Sequence, residues 1–100
     1  MAEIVWTEPA VSGIEEIAEY IALDNPDAAS EVVKNTFSKV DRLTDFPLSG
    51  RNPPELPDSP YREIVASPCR VFYRVDGEQV MIPAVIREER QLREYMLGVD

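Results

Sequence analysis

Between Tyr61 and Arg90 the chain reads YREIVASPCRVFYRVDGEQVMIPAVIREER, and Asp76-Gly77 sits near its middle. An Asp-Gly pair flanked by alternating apolar residues is a strong short-range hairpin signal, because both residues tolerate the positive φ that a tight turn needs. That pair forces the two flanking stretches, 70–75 and 79–86, into adjacent antiparallel strands. Pro68 separates the first of them from another strand-like stretch, 61–66. Side chains alternate across a strand, so Val71, Tyr73 and Val75 share one face and Arg70, Phe72 and Arg74 the other. Pro83 lacks the N–H of a ladder residue, which predicts an edge position or a bulge there.

The first half of the chain is helical in its spacing. After a short strand at Ile4-Val5-Trp6, Thr7 is placed to cap a helix, and Pro9 is tolerated in a first turn. Ala10, Ile14, Ile17, Ala18 and Ile21 recur on one face, with Glu15, Glu16 and Glu19 away from it. The helix is expected to stop near Asp24-Asn25. Asn25 then caps a second helix that has Pro26 at its first position. Ala29, Val32, Val33, Thr36, Phe37, Val40 and Leu43 form the inner face of that helix, and Pro47 marks its stop. So short a join makes an antiparallel αα-hairpin. Residues 47–60, PLSGRNPPELPDSP, hold five of the nine prolines and read as a surface loop. From Arg87 the spacing turns helical again, with Leu92, Tyr95 and Met96 on one side. The expected fold is α+β, in the order β-α-α-β-β-β-α. A small antiparallel sheet packs against the αα-hairpin, with a C-terminal helix, as one domain over residues 1–100.

Charge narrows the function. Formal net charge is -9, yet every basic residue after position 50 is an arginine: Arg51, Arg62, Arg70, Arg74, Arg87, Arg90 and Arg93. Residues 1–50 carry 10 acidic and 3 basic groups, and residues 51–100 carry 9 and 7. The overall acidic field opposes general nucleic-acid binding. Arginine is suited to planar, bidentate recognition of carboxylate or phosphate, so the sheet half is the place to look for a binding surface. Arg62, Arg70, Arg87 and Arg90 are expected to converge on one end or face of the sheet, as a concave basic patch. For Arg74 and Arg93 the ordinary reading is a solvated face whose stems cover apolar surface.

The chain has no histidine and 1 cysteine, Cys69. The commonest general base, the Ser-His and Cys-His pairs, and thiolate or imidazole metal clusters are therefore excluded. No phosphate-binding glycine loop, dinucleotide fingerprint or calcium-loop spacing occurs. Cys69 beside Arg70 reads first as a buried structural thiol. No cofactor and no metal are expected, and binding is the better default than catalysis. With no basic n-region at the start, no apolar run of the roughly 18 residues a membrane span needs, and a lone cysteine, the expected location is the cytoplasm, away from membranes.

These residues together resemble the RelE/ParE superfamily of bacterial toxin–antitoxin toxins over nearly the whole length. The resemblance is carried by IVWTEPA, IAEYIA and NPDAA, then FPLSGRNPPEL, YREIV, CRVFYRVDGEQVMI and VIREERQLREYM. The combination of P-x-x-G-R with Y-R-E-I-V and R-V-F-Y-R-V is specific, though no part is so alone. The resemblance implies one of two activities. RelE-like members are metal-independent, ribosome-dependent mRNA endonucleases that use a basic cluster and a C-terminal tyrosine. ParE-like members lack that cluster and poison DNA gyrase. Here Arg70 matches the arginine kept by both branches, and Arg62 stands at one basic position of the ribonucleases. Ile64 occupies a position where those enzymes carry lysine, Glu88 and Glu89 dilute the last basic group, and Tyr95 lies near the expected tyrosine.

The resemblance thus implies a ParE-like, non-enzymatic toxin of a type II system that inhibits gyrase and is neutralised by a cognate antitoxin. The alternative is a RelE-like ribonuclease working through Arg62, Arg70, Arg87, Arg90 and Tyr95. A third reading, a degenerate toxin that keeps only antitoxin binding, stays open because fold does not dictate function. By the same resemblance the antitoxin lays a helix across the αα-hairpin and an extended segment along the sheet. Arg62, Arg70 and Arg74 are then the candidate anchors for its carboxylates, and Arg87, Arg90, Arg93 and Tyr95 the candidate target contacts. A dimer of toxin–antitoxin heterodimers is the corresponding assembly.

Overall fold

The structure is a computed structural model that describes residues 1–98. Its elements are β1 (Glu3–Trp6), α1 (Glu8–Ala22), α2 (Pro26–Asp41), a 3-10 turn (Arg42–Thr44), β2 (Arg62–Ala66), β3 (Cys69–Asp76), β4 (Gln79–Arg87) and a second 3-10 turn (Glu94–Leu97). Both helix starts are built as the local signals require. Thr7 Oγ1 accepts from the Ala10 amide at 3.3 Å, and Asn25 Oδ1 accepts from the Ala28 amide at 3.0 Å. The Thr7 hydroxyl also donates to the Ile82 carbonyl at 2.7 Å, so one side chain both starts α1 and fixes it to β4.

The sheet runs β1-β4-β3-β2. The expected antiparallel meander β2-β3-β4 is present, and β1 joins it parallel to β4, pairing Glu3 with Gln79 through Trp6 with Ile82. Since β1 stops at Trp6, the far half of β4 has no neighbouring strand on that side. Helix α1 closes the gap. Gly13 lies so near β4 that an added Cβ would sit 2.4 Å from the Val85 carbonyl oxygen. Pro83 lies in a central strand, at a register irregularity opposite Phe72–Arg74, so a bulge accommodates it.

Apolar residues divide between two layers. Ala10, Ile14 and Ile17 of α1 and Val40 and Leu43 after it pack on Val71, Tyr73, Val80, Ile82 and Val85. On the opposite face, Phe72, Ala84 and Ile86 are covered by Tyr61, Leu92 and Leu97. Thr36 is fully buried in the helical layer, and its hydroxyl donates to the Val32 carbonyl at 2.8 Å.

The segment after β4 corrects the expected C-terminal helix. The strand continues to Arg87, and the one helical feature after it among the described residues is the turn Glu94–Leu97. Arg93 is extended (φ -117°, ψ 141°), and Gly98 ends the turn at φ 72°. The physical cause is competition for backbone groups. The Arg90 carbonyl accepts from Arg70 at 2.9 Å, and the Leu92 amide donates to Glu55 at 2.8 Å, so neither is free for a helical ladder. Leu92 is buried while Tyr95 is 73 % exposed, so the expected shared apolar side does not form.

Candidate functional site

Arg70, the second residue of β3, lies on the face away from the helices, and its side chain is only 7 % exposed. Its Nε donates to Glu63 Oε2 at 2.8 Å and its Nη2 to Glu63 Oε1 at 3.2 Å. The other edge meets Glu55, with Nη1 to Oε2 at 2.7 Å and Nη2 to Oε1 at 2.8 Å. The remaining Nη1 hydrogen goes to the Arg90 carbonyl. All five donors of the guanidinium are therefore occupied. Glu63, with no exposed side-chain surface, also accepts from Arg51 Nε at 3.0 Å. Fork-to-fork pairing of this kind is what lets such charges stay buried, since an uncompensated one costs several kcal/mol. Arg70 beside it, helped by the Leu92 amide, holds the Glu55 carboxyl down at about 2. The same pairing, led by Glu55, keeps the Arg70 guanidinium protonated beyond its ordinary range.

The motif residues of the loop close on this network. The Gly50 amide donates to the Tyr73 hydroxyl at 2.8 Å, and a Cβ on Gly50 would lie 2.5 Å from that oxygen. Arg51 pairs through its backbone with Glu63 in both directions, at 2.7 and 3.0 Å. Arg62 Nη1 donates to the carbonyls of Gly50 at 2.8 Å and Leu48 at 3.3 Å. Burial pushes the Tyr73 hydroxyl and the Cys69 thiol upward, so neither is poised to ionise. The stretches around Gly50, Glu63 and Arg70 thus form a clamp that holds the proline-rich loop and the C-terminal segment on the sheet.

This arrangement corrects the expected basic patch. Arg62, Arg70, Arg87 and Arg90 do not converge as free cations. Arg62 serves loop carbonyls, and Arg70 is enclosed and has no donor left for an outside carboxylate. Arg87 Nε donates to Glu89 Oε1 at 2.7 Å, and its guanidinium lies 5.4 Å from the centre of the Tyr20 ring. That pairing raises Arg87 and lowers Glu89 from their ordinary values. Arg74 lies over the Tyr61 ring at 5.8 Å and 3.8 Å from Asp76, with 42 % of its side chain exposed. Arg90 and Arg93 are exposed, Arg93 just before the final turn.

Sequence reasoning missed Glu55, Glu63 and Tyr20. Glu63 carried a usable signal, because an acidic residue inside an apolar strand pattern needs a cation when it is buried. Among the described residues there is no cluster of three or more metal-ligating side chains, and no helix is long and apolar enough to cross a membrane.

Two grooves flank α1. Ala18, Ala22, Ala29 and Val33 floor a shallow groove between α1 and α2. On the other flank of α1, a groove of about 500 Å³ lies between Gly13, Ile17 and Tyr20 on one side and Val85 and Arg87 at the end of β4, with Arg90 after it, on the other.

The family model for the ParE toxin of the type II toxin–antitoxin system parDE matches residues 4–92. The chain belongs to the ParE toxin family. As a ParE-type toxin of a type II toxin–antitoxin system it has relatives of similar length. It is 37 % identical over 90 residues to "Putative toxin Y4kP" of Sinorhizobium fredii, covering 88 % of this chain and 90 % of that one. It is 33 % identical over 79 residues to Toxin RelE2 of Caulobacter vibrioides, covering 77 % and 85 %. The ParE-type fold itself is matched by a chain of the chromosomal ParDE TA system from P. aeruginosa, at a TM-score of 0.73 and 23 % identity over 89 % of this chain and 98 % of that one. The β-α-α-β-β-β order and the mixed sheet agree with that fold.

Proposed function

We propose that this ParE-type toxin is a protein inhibitor of DNA gyrase that breaks no bond itself and is neutralised in the cytoplasm by a cognate antitoxin. The observation that carries this reading is the state of Arg70. A ribonuclease of this superfamily needs guanidiniums turned toward a phosphate to stabilise its developing charge. The arginine at the shared position here has every donor engaged by Glu55, Glu63 and a backbone carbonyl. Target contacts are assigned to Arg87, Arg90, Arg93 and Tyr95. Purified gyrase is the assay: supercoiling falls and cleaved DNA complex accumulates as toxin is added. Unchanged supercoiling at a large molar excess overturns the reading.

The antitoxin helix fits the Ala18–Val33 groove, and its extended segment is assigned to the sheet. Arg62 and Arg74 are assigned as its carboxylate anchors, while Arg70, with its donors engaged inside the chain, holds the outer face of the sheet together. Two such heterodimers joined through their antitoxins make the full assembly.

A second reading, a ribosome-dependent mRNA endonuclease, is favoured by one observation, the 33 % identity to a protein named Toxin RelE2. Cuts in the ribosomal A site, mapped by primer extension on translating ribosomes, distinguish the two.

A further inference from the structure

The groove between α1 and the end of β4 has properties that the clamp around Arg70 lacks. Gly13, Ile17 and Val85 give it an apolar floor, and Tyr20, 67 % exposed, forms one wall. A smaller hollow of about 390 Å³ extends it past Arg90 to Tyr95 and Met96. Arg87 lines the groove, and its Nη1 is buried with no hydrogen-bond partner among the described residues, although Nε of the same group is held by Glu89. A buried donor left without an acceptor is costly, and an entering acceptor removes that cost. The Arg90 guanidinium, on the same wall, makes no ion pair with any described carboxylate. The site therefore presents two guanidiniums beside an apolar floor.

Glu16 and Glu89 also line the groove, and the whole chain carries -9. Both oppose the polyanionic backbone of a nucleic acid, whereas a single carboxylate next to an apolar group meets matching chemistry. The groove also lies on the opposite flank of α1 from the surface assigned to the antitoxin helix.

We propose that this groove is where the toxin grips its protein target, receiving a segment that carries a carboxylate beside an apolar side chain. The carboxylate bridges Arg87 and Arg90, and the apolar group lies on the Gly13–Ile17–Val85 floor against Tyr20. The identity of the target rests on the gyrase reading above, but the chemistry of the groove does not.

Two experiments separate those claims. In the first, 3-phenylpropionate is titrated into the ¹⁵N-labelled toxin. The amides of Gly13, Tyr20 and Arg87 shift, and the neutral 3-phenylpropionamide binds at least about tenfold more weakly, the loss expected for one charged hydrogen bond. No shift at those amides, or inorganic phosphate binding there as well as the carboxylate does, overturns the groove's assignment. In the second, gyrase supercoiling is measured with Arg90→Glu and Tyr20→Ala, both at exposed positions, and with Arg42→Glu as a control outside the groove. Inhibition weakens at least about tenfold in the first two and stays unchanged in the control, by the same reasoning. If the natural chain inhibits and both groove variants inhibit equally, the groove assignment falls while the gyrase reading stands. If the natural chain does not inhibit, gyrase is removed as the target and the first experiment alone decides the groove's chemistry.

Discussion

Arg70 concentrates the stability of the sheet's outer face in a single side chain. Arg70→Ala leaves Glu63 charged, buried and held only by Arg51, and is expected to cost about 3–5 kcal/mol in urea unfolding. Arg70→Lys keeps the charge without the fork and falls between that variant and the natural chain. Glu55 gives a pH signature. Its folded value of about 2 lies below the ordinary unfolded value of about 4.3, so its contribution is complete above roughly pH 5. That contribution drains away as pH falls toward 2. Allowing for solvent screening, it amounts to about 1–2 kcal/mol, and Glu55→Gln flattens this part of the acid-unfolding profile. Gly13 is a steric requirement, because a Cβ would lie 2.4 Å from the Val85 carbonyl. Gly13→Ala pushes α1 off β4 and costs about 1–3 kcal/mol in thermal or chemical unfolding, despite alanine's better helix propensity.

Elements whose signals are local were legible in the sequence. Thr7, Asn25 and Pro26 mark helix starts within a few residues, and Asp76-Gly77 marks its hairpin to within one residue, the turn itself being Gly77-Glu78 between the paired Asp76 and Gln79; those elements and the two faces of β3 follow from the residues alone. The terminal segment was not legible. The groups that hold it extended lie far off in the chain, Arg70 20 residues before Arg90 and Glu55 37 residues before Leu92. For the same reason the arginines read as a free patch, because spacing along a chain does not reveal which carboxylate faces which guanidinium. Glu63 approaches Arg70 only once β2 and β3 are in register. The long-range fastening of the terminal segment can be checked by hydrogen exchange. Glu55→Ala releases the Leu92 amide, and amides of residues 88–97 exchange faster while those of β3 and β4 keep their protection. Loss of protection throughout the sheet instead would mean that the segment and the sheet unfold as one unit.

At the scale of the molecule, a charge of -9 governs encounters more than contacts. If the antitoxin proposed above is acidic as well, the two chains repel at a distance, and the proposed pairing of its carboxylates with Arg62 and Arg74 acts only at close range. Raising ionic strength from roughly 0.02 to 0.2 M shortens the reach of that repulsion, and the association rate measured by stopped flow is expected to rise. A falling rate would show that local pairing outweighs the overall field. The parallel pairing of β1 with β4 has its own consequence for how the protein is made. Strand β1 leaves the ribosome well before β4 and can find this neighbour only after residues 79–82 have been synthesised. Until then Ile4, Val5 and Trp6 lack their place in the sheet, and the nascent polypeptide offers a short, sticky ribbon that chaperones can shelter.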